Sequence, residues 1–414
     1  MIRGIKVKKL YDGIHMEPLE DVTVLFDETG FTDIIMSDKT GITGGDQINI
    51  EDKSDLYMMP GLVDCHVHLM LPGDGTKGEY IMRDWSQGEV AVMAYRNAMT
   101  ALAAGVTTLR DCGGAYNCAV TVKNTFERQS VNGPDILSSG APLTCTGGHC
   151  WYMGGEADGP EEIRKKIRSQ QKAGAGFVKL MAAYGGTIGV TKTPTFSDEE
   201  LQAAIDEAHL RGMKITMHSV IYEVTKKLAD LDVDMIEHTV MCDAHSTINF
   251  LDEEVIEKIR EKGIFVDHTL NCVNGTVNMY EEKVKNGTAG SWEKEQYEIY
   301  KRYQDLTFES FNFQVERHVP YVVGTDAGWG FSNFKDGYYE NIYEMQRNGA
   351  SAKELIIAST NRAAKAIGLD NILGSVETGK QADFLLLKDD PGVDMAKAIR
   401  KPYEIYKRGQ IFRS

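Results

Sequence analysis

No stretch of the 414 residues approaches the ~18 consecutive apolar residues that a membrane-spanning helix needs. No long basic run occurs either. Lys and Arg total 45 against 61 Asp and Glu, a formal charge of −16, which argues against nucleic acid or an anionic membrane surface as a partner. The seven cysteines are odd in number, scattered and without a CxxC pair, so neither a disulfide framework nor a structural zinc knuckle is expected. Internal repeats and low-complexity stretches are absent. The opening MIRGIKVKKLYDG has neither the apolar core nor the small-residue cleavage site of a signal peptide, and a cytoplasmic protein is expected. What is there is an ordinary globular composition, 42% hydrophobic and 26% charged, with ample material for a core.

The ends of the chain differ from its middle. Gly4–Leu10 and Asp21–Phe26 read as short strands between Asp, Gly and Glu turns. Asp383–Leu387 and the strand–turn–strand Tyr403–Phe412 read likewise. Residues 1–60 and 369–414 are therefore expected to build one small β-sandwich from both termini. Between them, residues 61–368 alternate strand and helix. Eight apolar runs stand out: Leu62–His68, Val106–Cys112, Asp135–Gly140, Phe177–Ala182, Lys214–Ser219, Asp234–Thr239, Gly263–Thr269 and Tyr321–Asp326. Pro160-Glu161-Glu162 opens one intervening helix and Gly174 closes it; Ser197-Asp198-Glu199-Glu200 is a capping box. Eight βα units in ~300 residues predict an α/β protein, a (β/α)8 TIM barrel. A doubly wound open sheet would carry a Gly-rich fingerprint after its first strand, and Cys65-His66-Val67-His68 is not one.

In a barrel the chemistry sits at the C-terminal ends of the strands. The first run ends in His66 and His68, two residues apart and so on one face. The fourth carries Lys179, the fifth ends in His218, the sixth in His238 and the eighth in Asp326. Each alone has a plain structural reading: a packed histidine, a helix-capping aspartate, a lysine reaching out of a buried strand. Together, four imidazoles and a carboxylate are a donor set suited to zinc or a similar metal. Trp151, Tyr152, Tyr184 and Trp329 fall on loops near these ends, where rings either stack a bulky acyl group or pack the loops. Arg110 and Asp111 read as a structural ion pair. The charged Tyr280–Gln314 stretch reads as a solvated helical face, with a lid as its alternative.

Pro60-Gly61-Leu62-Val63-Asp64-Cys65-His66-Val67-His68-Leu69 resembles the opening motif of the amidohydrolase superfamily. Ala104–Asp111 resembles its second strand, and Gly324-Thr325-Asp326-Ala327-Gly328 and Gly379-Lys380-Gln381-Ala382-Asp383 its late signatures. Thr146-Gly147-Gly148-His149 and Phe177–Gly186 are most similar to the imidazolonepropionase-related dipeptidases, which act on Xaa-Pro, Xaa-Arg and Xaa-Lys. The resemblance implies two divalent metal ions, zinc: one on His66, His68 and Asp326, the other on His218 and His238, bridged by N-carboxylated Lys179. It implies hydrolysis of an amide bond in a small N-acyl amino acid or dipeptide by a metal-bridging hydroxide, with Asp326 as general acid and base. His149 is implied both beside the developing oxyanion and at a substrate carboxylate, with Tyr222, four residues after His218, as a further contact; Trp151 and Tyr184 are candidate substrate contacts from their place on the loops. The partner expected is thus a small molecule with an amide bond and a free carboxylate, and a homo-oligomer is expected by resemblance. The alternative on the same fold is a mononuclear deaminase or cyclic-amide hydrolase, which would leave Lys179 unused. A catalytically silent scaffold would be expected to have lost some of the six residues.

Overall fold

Strands with one face in a core alternate apolar and polar residues, and such strands open the chain. The computed structural model describes residues 1–36, 48–184 and 192–413; the Gly185-Gly186 end of the Phe177–Gly186 motif lies outside them. Its first strands are β1 (Arg3–Leu10), β2 (Leu19–Phe26), β3 (Phe31–Met36) and β4 (Asn49–Pro60). The middle holds β5 (Leu62–Val67), β6 (Val106–Asp111), β7 (Asp135–Ser138), β8 (Phe177–Leu180), the short pair β9 (Ala183–Tyr184) and β10 (Thr193–Pro194), then β11 (Lys214–Ser219), β12 (Met235–His238), β13 (Phe265–Asp267) and β14 (Tyr321–Val322). The chain ends on β15 (Phe384–Leu387), β16 (Glu404–Lys407) and β17 (Gln410–Ile411).

Both termini share one seven-stranded sheet, ordered β17-β16-β15-β4-β1-β2-β3. β4 is its seam: parallel to β1 and antiparallel to β15. In a flat sheet β2 and β15, with β1 and β4 between them, would lie about 14 Å apart. Yet the Phe26 and Phe384 rings are 5.1 Å apart and Phe26 meets Tyr406 at 5.7 Å. The sheet therefore curls until its ends face each other over Ile5, Val7, Val24, Met58 and Leu386. One curled seven-stranded sheet makes this core where a small β-sandwich from both termini was expected.

The eight apolar runs all contain strands; Lys214–Ser219 is strand throughout, whereas Gly263–Thr269 and Tyr321–Asp326 keep only the short Phe265–Asp267 and Tyr321–Val322. They pair in parallel as two arcs, β5-β6-β7 and β8-β11-β12-β13-β14. Isolated bridges, Leu143 with Leu180 and Val67 with Ala327, link the arcs at either end. The linking hydrogen bonds are Leu143 N–H to Lys179 O at 2.8 Å and Cys65 N–H to Val323 O at 2.9 Å. The expected α/β alternation is present, but in place of a closed barrel the eight strands form two parallel arcs joined by isolated bridges. Helices pack outside, including Pro160–Ala173, ended by Gly174 at φ 106°, and Asp198–Leu210 with its Ser197–Glu200 capping box. After β13 come helices Asn274–Lys285 and Ser291–Glu316; the latter buries Tyr303, Leu306, Phe311 and Gln314, so it is more than a solvated face. No helix among the described residues is long and apolar enough to cross a membrane.

The terminal sheet is fastened to β7 by charge. Lys407, fully buried, donates to Asp135 and Asp383 at 2.6 Å each, and Arg408 reaches Asp135 at 2.5 Å.

Candidate functional site

Parallel strands place all their C-terminal ends on one side, and a cavity of about 390 Å³ lies there. His66, His68, Lys179, His218, His238 and Asp326 all line it, as does His149. His68 Nε2 lies 3.3 Å and His66 Nε2 3.7 Å from Asp326 Oδ1, and Lys179 Nζ lies 3.5 Å from His66 Nε2. The imidazoles form a chain, with ring centroids 5.0 Å apart for His66–His238, 4.6 Å for His238–His218 and 4.8 Å for His218–His149.

The backbone is bent to achieve this. Consecutive strand residues face opposite sides, yet Glu237 and His238 both turn toward His66. His238 has φ 66°, and this left-handed turn swings its ring back inward. Thr239 (47°), Thr269 (42°) and Asp326 (55°) are strained in the same way, a clustering typical of functional sites. At Gly324 a Cβ would meet Asp267 Oδ2 at 2.1 Å and the His66 Cβ at 2.7 Å, so only glycine lets these strands approach.

Behind the cavity the imidazoles are held by their other nitrogens. His68 Nδ1 bonds to the Gly113 carbonyl and His238 Nδ1 to Thr269 Oγ1, both at 2.8 Å. His66 Nδ1 lies 2.8 Å from Glu237 and 3.2 Å from Asp267. Glu237 is also bound by Arg110 at 2.5 Å and by the Thr216 hydroxyl. Arg110 therefore pairs with Glu237, and not with Asp111. Adjacent strand residues point apart, and Asp111 instead accepts from Leu69 N–H at 2.9 Å and Ser138 Oγ at 3.1 Å.

Electrostatics follows burial and neighbours. Burial, with neighbouring cationic groups, holds His218 and His238 well below the ordinary imidazole value, so both present lone pairs. Burial and then Lys179 bring His149 down to about 4. For Asp326 burial opposes ionisation, but His66 and His68 outweigh it and hold the carboxyl well below its usual range. For His66 burial and Lys179 push down, yet Glu237, Asp326 and Asp267 raise it to about 9. His218 Nε2 and Asp326 Oδ1 are buried without a hydrogen-bond partner, as befits atoms whose lone pairs face a cation. The donor set therefore fits a divalent metal, and His66, His68 and Asp326 come together tightly enough to share one.

Three expected substrate contacts do not reach the cavity. Tyr222 donates to Asp252 at 2.6 Å and stacks on Phe250. Trp151 is exposed and meets Tyr152 edge-on; Tyr184 is exposed on β9. Trp329 does line the cavity, 5.8 Å from His149, and Met279, Tyr280, Tyr300 and Tyr303 of the two helices after β13 complete its wall. The sequence did not single out Glu237 or Lys192, though a charged residue in an apolar run (Met235-Ile236-Glu237) is a signal that could have found the first; Asp267 stood out only as the end of the seventh run, not as a support for His66. All seven cysteines are free.

An α/β fold whose strand ends gather imidazoles, a carboxylate and a buried lysine defines a metal-binding hydrolase class. The chain belongs to the Amidohydrolase family, whose model matches residues 57–410. It is 27% identical over 395 residues to ochratoxinase of Aspergillus niger, covering 86% of this chain and 75% of that one. A crystal structure of a Xaa-Pro dipeptidase with methionine bound in the active site superposes with a TM-score of 0.82 at 23% identity, covering 100% of both chains. The ochratoxinase crystal structure superposes with a TM-score of 0.82 at 22% identity, covering 100% of this chain and 96% of that one. These likenesses make the protein a hydrolytic enzyme of that family.

Proposed function

We propose that this protein hydrolyses the amide bond of a small N-acyl amino acid or dipeptide carrying a free carboxylate, using two zinc ions. The observation that carries the reading is Lys179. It is 1% exposed, and among the described residues its Nζ has one polar neighbour within reach, His66 Nε2 at 3.5 Å. An ammonium cannot ligate a cation, but a lysine amine that adds to CO2 and loses a proton becomes a carbamate anion, a ligand suited to a place among the imidazoles. In this reading His66, His68 and Asp326 would hold one metal and His218 and His238 a second, with carboxylated Lys179 serving both. When bound, such a pair polarises the scissile carbonyl and acidifies water.

The chain's own groups do the rest. Asp326, held ionised, takes the proton of the attacking water and delivers it to the departing amine, which otherwise leaves poorly. His149, beside His218 and Trp329, donates a hydrogen bond to the carbonyl oxygen as charge develops. Trp329, Tyr300 and Met279 seat an apolar portion of the substrate. The names of the relatives, an ochratoxinase and a Xaa-Pro dipeptidase, support an amide as the bond cleaved. The same reading takes the two arcs as a closed eight-stranded barrel over residues 61–368, the curled terminal sheet of residues 1–60 and 369–414 as a sandwich-like domain, and the assembly as a homo-oligomer.

The alternative is a mononuclear deaminase or cyclic-amide hydrolase, favoured by the compactness of the His66–His68–Asp326 set and idle at Lys179. Elemental analysis of protein produced with zinc and bicarbonate, beside Lys179→Ala, separates the two. Two metals per chain, falling sharply in the variant, together with turnover of N-acyl amino acids, are expected. One metal per chain, unchanged by removing Lys179, would give the mononuclear reading precedence.

A further inference from the structure

Lys192 is a second buried lysine of the same cavity, and the mechanism above leaves it without a role. It is 2% exposed. Its ammonium lies 4.4 Å from the centroid of the Tyr303 ring and donates to the Ser246 hydroxyl. Three separate elements converge on it: the chain before β10, the loop after β12 and the helix Ser291–Glu316. Its backbone N–H bonds to the Ala244 carbonyl at 2.9 Å, and Ser246 is set by a left-handed turn at φ 54°, its N–H bonded to the Asp243 carbonyl at 3.0 Å. The position is built, not incidental.

An ammonium has three N–H donors. One hydroxyl and one aromatic face leave it short of acceptors, and no ion pair forms at Lys192 among the described residues. Burying a cation without a counter-charge is costly. Among the other charged groups of the cavity, Lys179 and Asp326 belong to the candidate metal centre, and Lys77 and Glu79 are exposed. Lys192 is therefore the buried cation of this cavity left for an incoming anion. His149 sits on the metal side, against His218 and Trp329, and its ring serves a carbonyl oxygen better than a distant carboxylate.

We propose that Lys192, with Ser246 beside it, receives the free carboxylate of the substrate and so makes the enzyme selective for amides with an anionic end. This rests on the amide-hydrolase reading and divides between two residues a role otherwise given to His149 alone. Burial pulls the lysine's pKa down, and an arriving carboxylate opposes that pull.

The test compares L-phenylalanine with L-phenylalaninol, alike except for the carboxylate, by titration calorimetry on the purified holoenzyme. Wild type is expected to prefer phenylalanine by at least tenfold. Lys192→Met is expected to lose that preference, while Ser246→Ala, which keeps the ammonium, retains most of it. Thermal melts verify that the variants fold; should Lys192→Met not fold, Lys192→Gln carries the same comparison. A preference equal in wild type and the lysine variant, or none in wild type, would overturn the proposal. Turnover of N-acetyl-L-phenylalanine by the same wild-type preparation is followed separately. Its absence would count against the amide-hydrolase reading, whereas the carboxylate preference is decided by the calorimetry.

Discussion

A carboxylate behind a metal-facing imidazole fixes the tautomer and strengthens the donor. Glu237 occupies that place for His66 and is itself held by Arg110 and Thr216. Glu237→Gln keeps the shape and removes the charge. It is expected to weaken metal binding about 10- to 100-fold, read by chelator competition, with an unchanged circular-dichroism spectrum. Unchanged affinity would mean that Asp267 alone orients the ring. The candidate ligands were legible because they lie in or at the end of apolar runs, where a polar residue has to answer for its burial. Their supports were not. Nothing in the Met235–His238 run says that a glutamate meets a histidine across the sheet, or that a left-handed φ turns the following residue to the same side. Lys192 was equally silent, because its burial depends on Tyr303, far along the chain.

At the scale of elements, the contact between β7 and the terminal sheet makes the clearest energetic claim. Burial opposes the charge on Asp135, but Lys407 and Arg408, with hydrogen bonds from Lys407 and Gln381, outweigh it and hold the carboxyl below its usual value. A carboxyl depressed in the folded state stabilises the fold above its unfolded pKa, about 3.9. That contribution falls away as pH drops through the lower folded value. Asp135→Asn is expected to cost about 3 kcal/mol near neutral pH, the low end for a buried pair losing a partner, since Asp383 still faces Lys407. Urea melts should show the gap between variant and wild type constant from pH 5 to 7 and narrowing below about pH 4. A gap independent of pH would remove the ionic explanation. The strands themselves were readable, because parallel strands buried on both faces are continuous apolar runs. β4 was missed: its first half, Asn49-Ile50-Glu51-Asp52-Lys53, is polar and lies at the sheet's open end.

For the whole molecule, the candidate ligands are shared between the arcs. His66 and His68 come from β5 and its end, Lys179, His218 and His238 from the larger arc, and Asp326 from beyond β14. Metal bound there would add a further tie between two sheets whose backbones meet only through isolated bridges and whose side chains meet at Arg110–Glu237 and His66–Glu237. A ligand that binds only the folded state stabilises it by about 4 kcal/mol at a thousandfold excess over Kd. Removing metal with a chelator is therefore expected to shorten the half-life of wild type against thermal inactivation. The same treatment should change little in His66→Ala. Equal shortening in both would place the effect away from this centre.

The seam strand β4 has a consequence for how the molecule is made. Its last residues, Tyr57–Pro60, pair with Phe384–Leu387, so the edge they form stays open until β15, far later in the chain, has been made. His66 and His68 follow that edge directly and emerge early, while Asp326 and the strands that complete the terminal sheet emerge late. The emergence of Asp326 and β15, and not that of the first histidines, sets the moment at which the nascent chain can assemble the candidate metal centre.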